Sequence, residues 1–167
     1  MKSIVLAAGC FWGVQAYFKL VKGVKSTTVG YIQGTKDFPS YSEVLTDSTG
    51  HAESCLIKYD SEVTNLAMLL EHYFNIIEGK KDRENRLRNG IYYRDEEEKY
   101  IINSVLEQKF RNKKINKIAI EVEKANEFWE AEEYHQDYLE KNINGFCHIP
   151  NEKFLFSSKI DEKQCFK

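Results

Sequence analysis

Ile4-Val5-Leu6-Ala7-Ala8-Gly9-Cys10-Phe11-Trp12-Gly13 is the stretch from which the rest of the chain is placed. Its first five residues form an unbroken apolar run closed by Gly9, the pattern of a central strand covered on both faces. A helix is predicted next, because Phe11, Val14, Phe18 and Val21 recur at close to helical spacing and Gly23 supplies a stop. The β-branched residues of Val24 to Ile32 predict a second strand. Gln33 to Thr49, with Gly34, Pro39 and several Ser, Thr and Asp residues, reads as a long loop.

Beyond the loop, Glu53, Cys55, Ile57 and Tyr59 alternate with Ser54, Leu56 and Lys58, which predicts a strand with the first set on one face. Ser61 is placed to cap a helix whose buried stripe is Val63, Leu66, Ala67, Leu70 and Phe74. Glu78 to Asn89 is charged and lacks periodicity. Ile91-Tyr92-Tyr93 has strand character and leads to Asp95, a cap, with Glu98 completing a capping box for a helix that buries Ile102, Val105, Leu106 and Phe110. Ile115 to Val122 alternates as a further strand, Ala131 to Leu139 reads as a short helix, and the chain from Gly145 onward reads as irregular. Strands alternating with helices, apart from one long connection, predict a single α/β domain over residues 1–167. It is an α+β two-layer sandwich with a mixed sheet, helices packed on a ferredoxin-like core, and an irregular C-terminal segment.

Composition narrows the function classes. The 167 residues are 42% hydrophobic and 30% charged, an ordinary globular balance. A formal net charge of -2 gives no electrostatic basis for nucleic-acid binding. The apolar run at Ile4 is too short for a membrane span and lacks the charged flank of an export signal. Cys10, Cys55, Cys147 and Cys165 are scattered, with no C-x-x-C pair, and read as individual thiols of a reducing, cytoplasmic compartment. His51, His72, Cys147 and His148 lack metal-ligand spacing.

Three segments carry chemistry. A cysteine at the first turn of a helix meets unpaired amide N–H groups and the positive end of the helix dipole, which predicts a lowered pKa and a reactive thiolate at Cys10. Gly9 and Gly13 permit close approach, and Phe11 and Trp12 offer an apolar wall. Glu53 on an apolar strand face should hold its proton near neutrality and act as an acid, and Tyr41 in the preceding loop is a second hydrogen-bond donor. In Glu132-Glu133-Tyr134-His135-Gln136-Asp137-Tyr138, His135 and Tyr138 are expected on one helix face. Cys147 follows in the glycine-containing Gly145-Phe146-Cys147-His148, where it can reach a second sulfur.

Together these residues resemble the A-type peptide methionine sulfoxide reductases, which act on the S epimer of methionine sulfoxide. The match runs from about Ala8 to Cys147 through four ordered blocks: Gly9-Cys10-Phe11-Trp12-Gly13, Val29-Gly30-Tyr31, Thr49-Gly50-His51-Ala52-Glu53, and Ala131-Glu132 with Tyr134-His135-Gln136. The resemblance implies that Cys10 attacks the sulfoxide sulfur, that Glu53 protonates its oxygen with help from Tyr41, and that Phe11 and Trp12 cradle the methyl group. It implies that Cys147 resolves the resulting sulfenic acid, that a thioredoxin-like protein or dithiothreitol supplies the electrons, and that no metal or organic cofactor takes part. Asp82 aligns with an acidic site position, and His135 and Tyr138 support the substrate pocket. The protein would work as a monomer on free or protein-bound methionine sulfoxide.

The chain departs from the family at Glu84 and Leu87, where glycine and a substrate-contacting tyrosine are usual, and at Gln15, Glu130 and Phe146. Cys165 is either a second recycling thiol or a terminal cysteine without a role. Two other classes use the same residues: a cysteine hydrolase or acyltransferase activating Cys10 through His135, and a non-catalytic peptide-binding module built on Phe11 and Trp12.

Overall fold

The opening apolar run forms β1 (Lys2–Ala8), which lies inside a six-stranded sheet. The computed structural model describes residues 1–77, 84–111 and 118–157. The other strands are β2 (Val24–Ile32), β3 (Ala52–Tyr59), β4 (Asn89–Tyr93), β5 (Glu121–Lys124) and β6 (Trp129–Glu130), in the spatial order β5-β4-β1-β3-β2-β6. All neighbours are antiparallel except β4 and β5, so the sheet is mixed as expected.

Among the described residues there are six α-helices: α1 (Phe11–Phe18), α2 (Tyr41–Leu45), α3 (Leu66–Ile76), α4 (Glu96–Arg111), α5 (Tyr138–Lys141) and α6 (Asn151–Ser157). Setting aside the short α2, the succession β1-α1-β2-β3-α3-β4 with spatial order β4-β1-β3-β2 is the ferredoxin-like core. From Ile4 to Ala8, β1 is apolar because each face has its own cover. Ile4, Leu6 and Ala8 join the main core under the helices, whereas Val5 and Ala7 meet Ile32, Ala52 and Tyr92 on the other face. α3 buries Leu66, Leu69, Leu70, Tyr73 and Ile76. Each fully buried Leu or Ile contributes about 1.5–3 kcal/mol. No helix among the described residues is long and apolar enough to cross a membrane.

The structure corrects several local readings. Ser61 does not cap α3; Asn65 does, its side chain accepting from the Met68 amide at 2.9 Å. The preceding residues form a turn packed on Gly23, where φ is +91° and a Cβ would strike Val63 and Thr64, so the helix starts later. The long loop contains α2, set by a capping box in which the Ser40 hydroxyl and the Glu43 carboxylate exchange hydrogen bonds with each other's amides. At α4, Glu98 accepts from the Arg94 amide at 2.7 Å while its own amide donates to Asp95. Phe110 stays 40% exposed, off the buried stripe. Of the strand expected over 115–122, only Glu121 and Val122 fall in β5; residues 118–120 precede it without strand pairing, and 112–117 lie outside the described residues. The C-terminal segment is irregular only as far as α6.

The largest departure is at 131–139, which is not one helix. A 3-10 turn (Glu133–His135) is separated from α5 by Gln136 and by Asp137 in the left-handed region at φ 54°. Long-range bonds impose this break. The Gln136 carboxamide mimics a strand, accepting from the Val29 amide at 2.9 Å and donating to the Val29 carbonyl at 2.9 Å and the Ala131 carbonyl at 3.1 Å. The Asp137 amide donates to the side chain of buried Gln15 at 2.8 Å. Gln136→Ala would strand the buried Val29 amide, whereas the Val29 carbonyl keeps its bond from the Ala131 amide at 3.0 Å, at roughly 1–3 kcal/mol for the one group left unpaired. We expect a destabilisation of that order in urea unfolding, with an unchanged dependence of free energy on denaturant.

Candidate active site

Gly9, at φ 87°, turns β1 into α1 and leaves Cys10 as the residue that opens the helix. Cys10 is half-buried, and its thiol pKa is not lowered as the sequence predicts but pushed up to about 12. Burial is the main cause and the nearby Glu53 charge the second. Hydrogen bonds from the Trp12 and Gly13 amides act in the predicted direction without overcoming them. The helix terminus therefore does what the sequence reading expects; desolvation outweighs it.

Glu53 lies in β3 opposite Tyr31 of β2 and is 1% exposed. Burial raises its pKa to about 7, against the charge and hydrogen bond of Arg86, while Glu84 and Asp47 push it further up. The acid expected on the apolar strand face is thus present, half protonated near neutrality. Arg86 Nη1 donates to Glu53 Oε2 at 3.1 Å, and Arg86 Nη2 pairs with Glu84.

Tyr41 begins α2, and its amide donates to Glu132 Oε2 at 2.9 Å. Glu132 Oε1 accepts from the Tyr31 hydroxyl at 2.8 Å, so one carboxylate ties α2 to β2. The Tyr41 ring stacks on Phe11 at 6.4 Å and meets His135 edge-on at 4.3 Å. Burial and the Glu53 charge push its phenol up to about 12, which keeps it a donor at neutral pH.

His135 is fully buried at 0% exposure. Trp12 Nε1 donates to its Nδ1 at 3.0 Å, which requires the tautomer with the proton on Nε2. Burial lowers its pKa, so the ring is neutral with its only lone pair already engaged. A general base for Cys10 is therefore missing from this position, and the hydrolase reading loses its key residue. Tyr138 stacks on Trp12 with ring centres 3.7 Å apart and planes within 9°. His135 and Tyr138 still converge on Trp12, although through a turn and a short helix and not along one helix face.

Cys147 rests against the first turn of α1. A Cβ at Gly13 would sit 3.0 Å from its sulfur, and its thiol donates to the Ile149 carbonyl at 3.6 Å. Cys10, Cys55 and Cys147 are all free thiols. Cys55 is buried in the core, as its alternation with Ile57 predicts. Asp82 and Cys165 lie outside the described residues. Sequence reasoning missed Arg86, because nothing in its aperiodic charged stretch points to a partner in β3. It also missed Glu132 as the tie between α2 and β2.

The cluster holds a nucleophilic thiol, a near-neutral acid, a phenol donor, an aromatic wall and a second thiol one helical turn away. Residues 2–165 match the family model described as peptide methionine sulfoxide reductase. A protein named peptide methionine sulfoxide reductase MsrA from Ureaplasma urealyticum is 47% identical, with 89% of this chain and 93% of that protein aligned. Reduced Mxr1 from Saccharomyces cerevisiae superposes with a TM-score of 0.76 at 30% identity, covering 87% of this chain and 88% of that one. Mxr1 in complex with Trx2 superposes at 0.58 and 23% identity, covering 82% and 84%. The chain belongs to the peptide methionine sulfoxide reductase family.

Proposed function

We propose that this chain reduces the S epimer of methionine sulfoxide, peptide-bound or free, with Cys10 as nucleophile, Glu53 as acid, Tyr41 as second donor and Cys147 as resolving thiol. Reduction of methionine sulfoxide is the reaction of its family. The observation that carries the assignment of roles is the burial of a near-neutral carboxyl, Glu53, beside the Cys10 thiol. A sulfoxide oxygen is a poor leaving group until protonated, and an acid with a pKa near the working pH both holds and releases its proton.

The Cys10 sulfur, as thiolate, attacks the sulfoxide sulfur while Glu53 gives a proton to the oxygen. Methionine leaves reduced, and the oxygen remains on Cys10 as a sulfenic acid. Phe11 and Trp12 wall the methyl group, with His135 and Tyr138 holding Trp12 in place. The Cys147 thiol then displaces hydroxide from the sulfenic acid as water, forming the Cys10–Cys147 disulfide. An external dithiol restores both thiols by exchange. The yeast Mxr1 solved with Trx2 supports a thioredoxin-like reductant. The chemistry asks for no metal or organic cofactor. A single catalytic domain over residues 1–167, acting as a monomer in a reducing cytoplasm, completes the proposal. Whether Asp82 contributes to the pocket belongs to the same proposal.

Two variants test these roles. Cys147→Ser should release one methionine per enzyme in a single turnover and continue with dithiothreitol, but lose turnover driven by thioredoxin; undiminished thioredoxin turnover would remove Cys147 from the resolving step. Glu53→Gln should cut the reduction rate by about 10²–10⁴, the usual contribution of a general acid. In the same variant, iodoacetamide should alkylate Cys10 faster at pH 8, where the wild-type carboxylate is ionised and raises the thiol pKa. Slower alkylation would show that Glu53 does not act on the thiol through its charge.

A further inference from the structure

Arg86 occupies a place in the site that the reaction scheme leaves unexplained. It ends up beside Glu53 because the turn that carries it is gripped from below: Asp47, itself at φ 57°, accepts from the Asn85 amide at 3.2 Å and from the Arg86 amide at 2.8 Å. With its backbone fixed, the side chain reaches Glu53 Oε2 at 3.1 Å while only 14% exposed. Its Nε is buried without a hydrogen-bond partner. A merely structural arginine would be expected to satisfy that donor, because an unpaired buried N–H is costly.

The electrostatic setting is otherwise negative. Glu84 faces Glu53 from the same turn and Asp47 from the loop after α2. Among the described residues, Cys10 at the start of α1, Tyr41 in α2 and Tyr31 in β2 are also coupled to it. Among the described residues, Arg86 is the cation that acts on this carboxyl. A buried acid without a cation would hold its proton through neutrality and resist giving it up, because the anion left behind would be desolvated.

We propose that Arg86 is a positioning residue for the acid step: it holds the Glu53 carboxyl by one oxygen and takes up the charge that appears there when the proton passes to the sulfoxide oxygen. The inference rests on the reductase reading above. In that step Cys10 gives its thiol proton to solvent, its sulfur bonds to the sulfoxide sulfur, and Glu53 gives one proton to the sulfoxide oxygen, which ends on Cys10. The sulfoxide is reduced by two electrons to methionine as the Cys10 sulfur is oxidised to sulfenic acid, and Glu53 takes a proton back from solvent, so one thiol and one sulfoxide give one sulfenic acid and one thioether. Arg86 touches neither sulfur nor oxygen; it acts through Glu53.

The test compares wild type, Arg86→Gln and Arg86→Lys in two measurements. The first is the pH dependence of kcat/KM for methionine-S-sulfoxide with dithiothreitol; the second is the titration of the Glu53 carboxyl in substrate-free enzyme carrying ¹³C-labelled glutamate, assigned with Glu53→Gln. Protonated Glu53 declines as pH rises through its pKa of about 7 while the Cys10 thiolate increases toward the thiol pKa of about 12, so kcat/KM climbs with pH to a break near 7 and levels off above it. In Arg86→Gln that break and the carboxyl titration should both move up by about one pH unit or more, the effect of losing an opposite charge at this range. Below the break the rate should fall, and Arg86→Lys should restore most of both.

A structural role alone would lower the rate at every pH without moving the break, and that result overturns the proposal. So does an unmoved carboxyl titration in Arg86→Gln, whatever the activity. Wild type without sulfoxide reduction would instead sink the reductase reading, and the carboxyl titration would still decide whether Arg86 controls Glu53.

Discussion

A carboxyl at 1% exposure, a thiol and a guanidinium share one end of the sheet, and the protonation of each depends on the others. In the proposed reaction Glu53 is neutral enough to donate because β3 buries it, and labile enough to donate because Arg86 is paired to it. Its charge, when present, weighs on Cys10. The fold supplies these relations through the sheet: β1 ends where Gly9 turns the chain into α1, and β3 runs beside β1 with Glu53 two residues beyond Cys55, the partner of Leu6. Moving either strand by one residue would send Glu53 to the opposite face and dissolve the site.

That coupling changes how the Cys10 environment is understood. Read locally, a cysteine at a helix N-terminus is a thiolate waiting for substrate. In the folded protein the same cysteine is half-buried beside a carboxylate, and desolvation outweighs the helix amides. The resting thiol keeps its proton. It loses that proton most easily when Glu53 is itself protonated, since the second cause of its raised pKa then disappears. The nucleophile and the acid are therefore ready in the same protonation state of the site, the one in which Glu53 can serve the sulfoxide oxygen.

Much of this architecture was legible in the sequence because its causes are local or periodic. The β1 run, the β-branched β2 and the alternation of Glu53, Cys55, Ile57 and Tyr59 state which residues are buried and on which face. The readings that failed depend on distant partners. Residues 131–139 carry helical periodicity, yet Gln136 pairs with Val29 across 107 residues and Asp137 with Gln15 across 122, and those bonds break the helix. Arg86 is separated from Glu53 by 33 residues and sits in a run of charges whose pattern looks solvated. The capping box at Ser40 and Glu43 was a local signal overlooked inside a loop. Cys10, Glu53, Tyr41 and Cys147 could be named as candidates from local sequence, whereas Arg86, which pairs with Glu53, and Glu132, which accepts from the Tyr41 amide, could not.

The neighbourhood of Cys147 adds a constraint of its own. A disulfide needs the two Cα atoms roughly 4.4–6.8 Å apart, so in the proposed reaction Cys147 has to approach Cys10 along the first turn of α1. Gly13 keeps that passage open, because any side chain there would press on the Cys147 sulfur and the His148 ring. Cys147 is carried on an irregular segment between α5 and α6, with Phe146 67% exposed on one side. The far end is fixed where Asn75 donates to the Tyr17 hydroxyl and the Lys153 carbonyl, and Tyr17 meets His72 at 2.9 Å. Next to Cys147, His148 Nε2 meets the Ala8 carbonyl at 2.8 Å and Ile149 is buried, so the segment is held to the end of β1 as well as at α6. The proposed disulfide therefore asks for a rearrangement confined to a short stretch between two anchors.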